Sequence, residues 1–152
     1  MQRALIFGAG LIVGLAVAAP AIRSGGPARK VINMPARQVE APFSDSVLAA
    51  DTLYLAGKLG LDPKTGKPPE DVEQEARLML DRMKDNLTVA GMTMDDLVKV
   101  EVHCSDVSLF ERFNAVYRTY FTTKDLPARA FLGSGPLLRG ARFEITGIAV
   151  KR

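Results

Sequence analysis

Two kinds of hydrophobic spacing alternate along this chain. In VKVEVHCSD, Val98, Val100, Val102 and Cys104 fall on one side, and Lys99, Glu101, His103 and Ser105 on the other. That period of two predicts a half-buried strand. In VEQEARLMLDRMKDNLTVAG, Val72, Ala76, Met79, Leu80, Met83, Leu87 and Ala90 recur at steps of three and four. That spacing predicts an amphipathic helix, with Asp71 to cap its start and Gly91 to end it. Its methionines read as core filler. Asn86-Leu87-Thr88 has the form of a glycosylation sequon but falls inside the helix, and is discounted.

Shorter runs complete the pattern. KVINMP, SVLAA and DTLYLAG read as strands, with Asp51 in the turn between the last two, and the proline-rich LDPKTGKPPED as a loop. Ser108 and Glu111 have the spacing of a capping box for a second helix. Phe110, Phe113, Tyr117, Tyr120 and Phe121 give that helix an aromatic face, read mainly as core packing. LPAR ends it and opens a fifth strand, and RFEITGIAVK closes the chain. The order β-β-β-α-β-α-β-β predicts one α+β domain over residues 31–152, a largely antiparallel sheet with two helices on one face.

The N-terminus has another character. MQR is followed by eighteen uncharged residues, Ala4 to Ala21, ending in Ala19-Pro20-Ala21. A positive start, an apolar run and a small-residue end predict a secretory signal peptide over residues 1–22, hence an exported (periplasmic or secreted) protein. A retained membrane anchor is the alternative, since the run approaches a bilayer span. Residues 23–30, RSGGPARK, read as a linker.

Charge and composition narrow the function classes. Of 20 Lys and Arg only Arg3 lies in the N-terminal segment, leaving 19 against 17 Asp and Glu. Without a dense basic run, nucleic acid is not an expected partner. One cysteine, Cys104, excludes an internal disulfide and a cysteine-cluster metal site. The alternation makes Cys104 a small buried hydrophobe and His103, the sole histidine, a solvated one, so no metal or histidine triad is expected.

Two charges interrupt strand-like runs, Arg129 in LPARAFLGSG and Glu144 fifteen residues later in RFEITGIAV. An arginine fork binds a carboxylate through two parallel hydrogen bonds. A carboxylate can take a proton from attacking water. The same residues also fit a plainer reading, in which Arg129 pairs with Asp125, Glu144 is a surface strand charge and Asn114 lies on a helix surface.

From about Ile32 to Val150 the chain resembles the RidA family (YjgF or UK114). APFSDSV, DTLYLAGKLGLDPKTG, Gln74, Asn86-Leu87, FNAVYRTYF, LPAR and FEITGIAV occur in the family's order at nearly its spacings. The resemblance implies a chorismate-mutase-like fold, a ring-shaped homotrimer and active sites in clefts between subunits. It implies hydrolysis of 2-imino acids, including 2-aminoacrylate released by pyridoxal-phosphate enzymes, to 2-keto acids and ammonia, with no cofactor. It makes Arg129 the carboxylate-binding residue and Glu144 the water-activating one. Phe43, Ala56, Gly57, Asn114 and the backbone around Phe131 line the cleft.

Three positions depart from the family's pattern. Phe43 stands where tyrosine is usual, Ala56 where serine is, and Phe131 where a cysteine often is. Each lost contact is worth about 1 to 2 kcal/mol if made only in the transition state, roughly tenfold in rate. A drier cleft follows, suited to an imino acid with an apolar side chain. The departures also leave open a non-catalytic module for small carboxylates on the same fold. An endoribonuclease, a label carried by part of the family, is a further reading with no histidine pair behind it.

Overall fold

The computed structural model describes residues 28–35 and 41–152. The signal-peptide segment and residues 23–27 of the linker lie outside them, and no helix among the described residues is long and apolar enough to cross a membrane. The strands are β1 (Arg29–Ile32), β2 (Ser46–Ala49), β3 (Thr52–Leu59), β4 (Leu97–Cys104), β5 (Ala128–Gly133) and β6 (Phe143–Val150). The helices are α1 (Val72–Val89) and α2 (Phe110–Tyr117). The expected order is borne out. One sheet runs β1-β2-β3-β6-β4-β5, antiparallel throughout except for β4 and β5. A parallel pair requires a crossover, which α2 supplies.

Both helices lie on one face of the sheet. Met79, Leu80, Met83 and Leu87 of α1 and Phe113 and Val116 of α2 are fully or almost fully buried against Leu53, Val100, Val102, Cys104, Phe143, Ile145 and Ala149. The other face carries Tyr54, Glu101, His103, Glu144, Thr146 and Ile148, none of them buried. This two-sided sheet is the frame of the candidate site.

Local signals are met in most places. Asp71 caps α1 by accepting from the Glu73 amide at 3.0 Å, and Gly91 takes the left-handed conformation (φ 72°) just past its end. Asn86 is buried with its amide donating to the Arg82 carbonyl, so the sequon faces the interior. Cys104 is fully buried, and burial pushes its thiol pKa up.

Two expectations are corrected. Val98 does not share the core face with Val100; it is 48% exposed and Leu97 is buried instead. The β4–β6 register slips between Leu97 and Lys99, and such an irregularity moves a side chain to the opposite face. Nor do Ser108 and Glu111 box the second helix. The Asp106 carboxylate accepts from the Ser108 amide at 2.9 Å and caps a 3₁₀ turn, Val107–Leu109, that leads into α2. Aspartate two residues before a free amide reaches it more directly than a serine already inside the turn.

A buried carboxylate joins the layers. Glu75 of α1 is 0% exposed. Its oxygens accept from the backbone amides of Arg142 at 2.6 Å and Phe143 at 3.3 Å, and from the Arg142 guanidinium. The same guanidinium donates to the carbonyls of Pro69 and Glu70. Arg142→Ala leaves a fully buried carboxylate with only its two amide donors. A loss of about 3 kcal/mol is expected, the low end for breaking a buried pair. Urea unfolding measures it, and a change below about 1 kcal/mol would show that the clamp is not a stability element.

Candidate active site

Arg129 sits on β5, the edge strand, in register with Val100 of β4. Val100 points into the core, so the Arg129 side chain rises on the helix face, against α2. Its Nη2 donates to Asn114 Oδ1 at 2.7 Å, and Asn114 is 4% exposed. The guanidinium carbon lies 4.5 Å from the Tyr117 ring centroid, with the rings of Phe110, Phe113 and Phe131 at 5.8 to 5.9 Å. Phe110 meets Phe131 edge-on at 5.0 Å.

This cation is held by π faces and one neutral amide. Among the described residues it makes no ion pair, and Asp125 is not its partner. Desolvation by the surrounding rings pushes its pKa down, and the charge of Arg118 acts the same way. Arginine keeps its proton even so. The result is a half-buried, fully charged guanidinium with most of its N–H donors unspent. Its fit is to a small planar anion.

Glu144 sits on β6 between Phe143 and Ile145, both 0% exposed, and therefore projects from the opposite face. In register it pairs with Leu59 of β3 and His103 of β4. Its carboxylate rests on Gly57. A Cβ at that glycine would stand 1.9 Å from Glu144 Oε1, so a larger residue there requires the Glu144 side chain to move. Gly57 and Ala56 lie where the β3–β6 register slips, between Leu55 and Lys58. Asp45 ties the preceding segment to this irregularity, its carbonyl accepting from the Ala56 amide at 3.1 Å and Lys58 Nζ at 2.9 Å. Phe43, two residues before Asp45, is 59% exposed. Among the described residues the Glu144 carboxylate accepts no hydrogen bond and forms no ion pair.

The expected residues thus form two groups. Arg129, Asn114 and Phe131 gather on the helix face at the β5 edge. Glu144, Gly57 and Ala56, with the segment that carries Phe43 tied beside them, gather on or near the open face. One protomer does not bring Arg129 and Glu144 together. A cleft of about 310 Å³ under residues 134–141, lined by Ser105, Ser134, Pro136 and Leu137 among others, includes neither. Tyr117 and Phe110 are the residues the sequence reading passed over. Tyr117 repeats one turn after Phe113, which looks like packing until the arginine above it is seen.

Comparison with known proteins follows the same lines. Residues 33–151 match the family described as endoribonuclease L-PSP. The chain is 38% identical over 125 residues to the 2-iminobutanoate/2-iminopropanoate deaminase of Mus musculus, covering 81% of this chain and 92% of that one. It is 34% identical over 113 residues to the protein of the same name from Escherichia coli K12, covering 73% and 88%. Among solved structures it is similar to the E. coli yjgF gene product, with a TM-score of 0.73 at 32% identity over 81% of this chain and 99% of that one. E. coli TdcF with bound serine gives 0.69 at 28% identity, over 75% and 91%.

Gly57→Ala is expected to swing the Glu144 carboxylate off β3 at a cost below about 1 kcal/mol, since the group in the way is the end of a flexible side chain and Gly57 is exposed. A crystal structure of the variant reads the displacement directly. An unmoved Glu144 would contradict the contact.

Proposed function

The chain belongs to the endoribonuclease L-PSP (RidA) family, and from that premise we propose that it hydrolyses 2-imino acids to 2-keto acids and ammonia. The observation that carries this reading is Arg129, a half-buried cation with no anionic partner among the described residues. The name of the Mus musculus relative, and serine bound in TdcF, a molecule that carries a carboxylate, point the same way.

In the reaction so proposed, the Arg129 fork fixes the substrate carboxylate and so aims the imine carbon. Glu144 takes a proton as water oxygen bonds to that carbon. The C=N π electrons move to nitrogen, giving a tetrahedral carbinolamine. Glu144 returns that proton to nitrogen, then takes the carbinolamine hydroxyl proton and passes it to nitrogen as well; the O–H electrons form the C=O bond as the C–N bond breaks, and ammonia leaves with the 2-keto acid behind. The chemistry calls on no redox step.

Arg129 and Glu144 stand on opposite faces of one sheet, so the proposal includes assembly. A second copy brings its Glu144 group to the first copy's Arg129 group, as a heterologous contact that closes into a homotrimeric ring. The export signal expected in residues 1–22 would place this ring outside the cytoplasm, where the imine would come from amino-acid oxidation. The wall of Phe110 and Phe131 beside Arg129 suits an apolar substrate side chain.

A non-catalytic carboxylate binder is favoured by one observation, the separation of the two charges in the protomer. The two readings part in assay. Arg129→Ala is expected to lower kcat/KM for an imino acid generated in situ by about 100-fold, the worth of a charge-assisted pair. Glu144→Gln should lose turnover yet keep keto-acid binding. If the site spans two copies, co-expressing the two variants restores roughly a quarter of parental activity, because that share of all interfaces pairs an intact arginine with an intact glutamate. Saturable binding without turnover in the parent would support the binder; Arg129→Ala at parental rate would remove both readings.

A further inference from the structure

Tyr117 is 3% exposed, and its hydroxyl has no hydrogen-bond partner among the described residues. Leaving such a group unsatisfied costs about 1 to 3 kcal/mol, and buried polar atoms without partners are rare enough to need a reason. Its neighbours explain why none is found. The ring is flanked by Phe113 at 5.6 Å and Phe121 at 4.8 Å, neither of which offers an acceptor. The third neighbour is the Arg129 guanidinium at 4.5 Å, which has only donors. Asn114, the nearby amide, accepts from Arg129 through its oxygen and makes no bond to the tyrosine hydroxyl. Among the described residues this corner therefore holds two kinds of donor, one charged and one neutral, and offers them no acceptor beyond the one that Asn114 gives Arg129.

We propose that Tyr117 is a second substrate-binding residue, its hydroxyl donating to the carboxylate whose charge Arg129 neutralises. The assignment rests on the carboxylate-binding reading of Arg129 given above. A carboxylate has two oxygens and about four acceptor positions, enough for the guanidinium fork and a hydroxyl together. The ring keeps its other duty as the platform beneath the cation, so one side chain both orients Arg129 and shares its ligand. Burial pushes the hydroxyl's pKa to about 12, with the charge of Arg129 opposing; Tyr117 thus remains a donor across the neutral range.

Tyr117→Phe separates the two duties, because it keeps the ring and removes only the oxygen. Pyruvate, a 2-keto acid, serves as the probe, titrated calorimetrically into the purified protein beside imine-deaminase assays. The variant is expected to bind pyruvate about tenfold more weakly, one net hydrogen bond to a charged group, and to raise KM more than it lowers kcat. Its melting temperature without pyruvate should equal or exceed the parent's, since an unpaired buried hydroxyl stabilises nothing. Only the rise in melting temperature on adding pyruvate should shrink.

Unchanged pyruvate affinity in Tyr117→Phe, with binding lost in Arg129→Ala, would overturn the role of Tyr117 alone. A lower melting temperature in the free variant would also overturn it, because the hydroxyl would then be bonded within the protein. Pyruvate affinity unchanged in Arg129→Ala, or no saturable binding in the parent, would overturn the carboxylate-binding reading on which the inference rests.

Discussion

The buried carboxylate of Glu75 is the constraint from which the site's geometry follows. It holds the first residues of β6 through the amides of Arg142 and Phe143, so the start of that strand is fixed relative to α1. Strand periodicity does the rest. With Phe143 committed to the core, Glu144 has to point to the other face. The backbone of α1 also approaches the end of β3 closely at this residue, since a Cβ on Gly60 would stand 2.0 Å from the Glu75 carbonyl oxygen. A slip of one residue in β6 would exchange Phe143 for Glu144 in the core, and the buried ion pair makes that slip costly.

From the same sheet the two charges receive unlike surroundings. Arg129 is desolvated on one side by α2 and oriented by Asn114, while Glu144 lies on the open face over a glycine. In a low-dielectric setting a carboxylate binds a guanidinium more strongly than in water. Cation–π contacts offset part of what burial costs the arginine, about 0.5 to 2 kcal/mol each by exposure. An arginine already stripped of water by its own fold loses less when a ligand arrives, which is the sense in which such a site is preorganised. In the reaction proposed above the glutamate has the opposite need. A base that must meet water gains from an open face until a ligand, or the proposed second copy, covers it.

Much of the fold was legible in the sequence because its elements follow their periods closely. Seven apolar positions at helical spacing in α1 leave little alternative, and the alternation of RFEITGIAV gives both the strand and the outward aim of Glu144. Arg129 was harder. β5 is an edge strand whose residues are only half-buried or exposed, so LPARAFLG carries no clean alternation to show its face. Fifteen residues of sequence separation also conceal that β4 lies between β5 and β6 in the sheet; strand order comes from long-range pairing, which local pattern does not encode. Val98 shows the same limit on a small scale. A bulge is invisible to a period count because it breaks the period. Tyr117 escaped notice for a different reason, since a stripe that packs the core and a stripe that carries a cation have the same spacing.

The aromatic residues around Arg129 therefore divide the work of recognition unequally. Charge decides whether a ligand is held at all, because a desolvated cation rejects anything that cannot neutralise it. An apolar wall discriminates more gently, by about 1 to 3 kcal/mol for a methylene in or out of contact. In the site proposed above, Phe131 and Phe110 consequently act on which carboxylate fits, through shape and dryness, while leaving the demand for a carboxylate untouched. Of the three departures from the family's pattern, Phe131 falls on that second task, while Phe43 and Ala56 each stand where a hydroxyl is usual, on the Glu144 side. Arg129 and Glu144 are the residues on which the hydrolysis proposed above depends. Under that proposal a change at Phe131 alters which carboxylate is preferred and leaves the guanidinium fork in place.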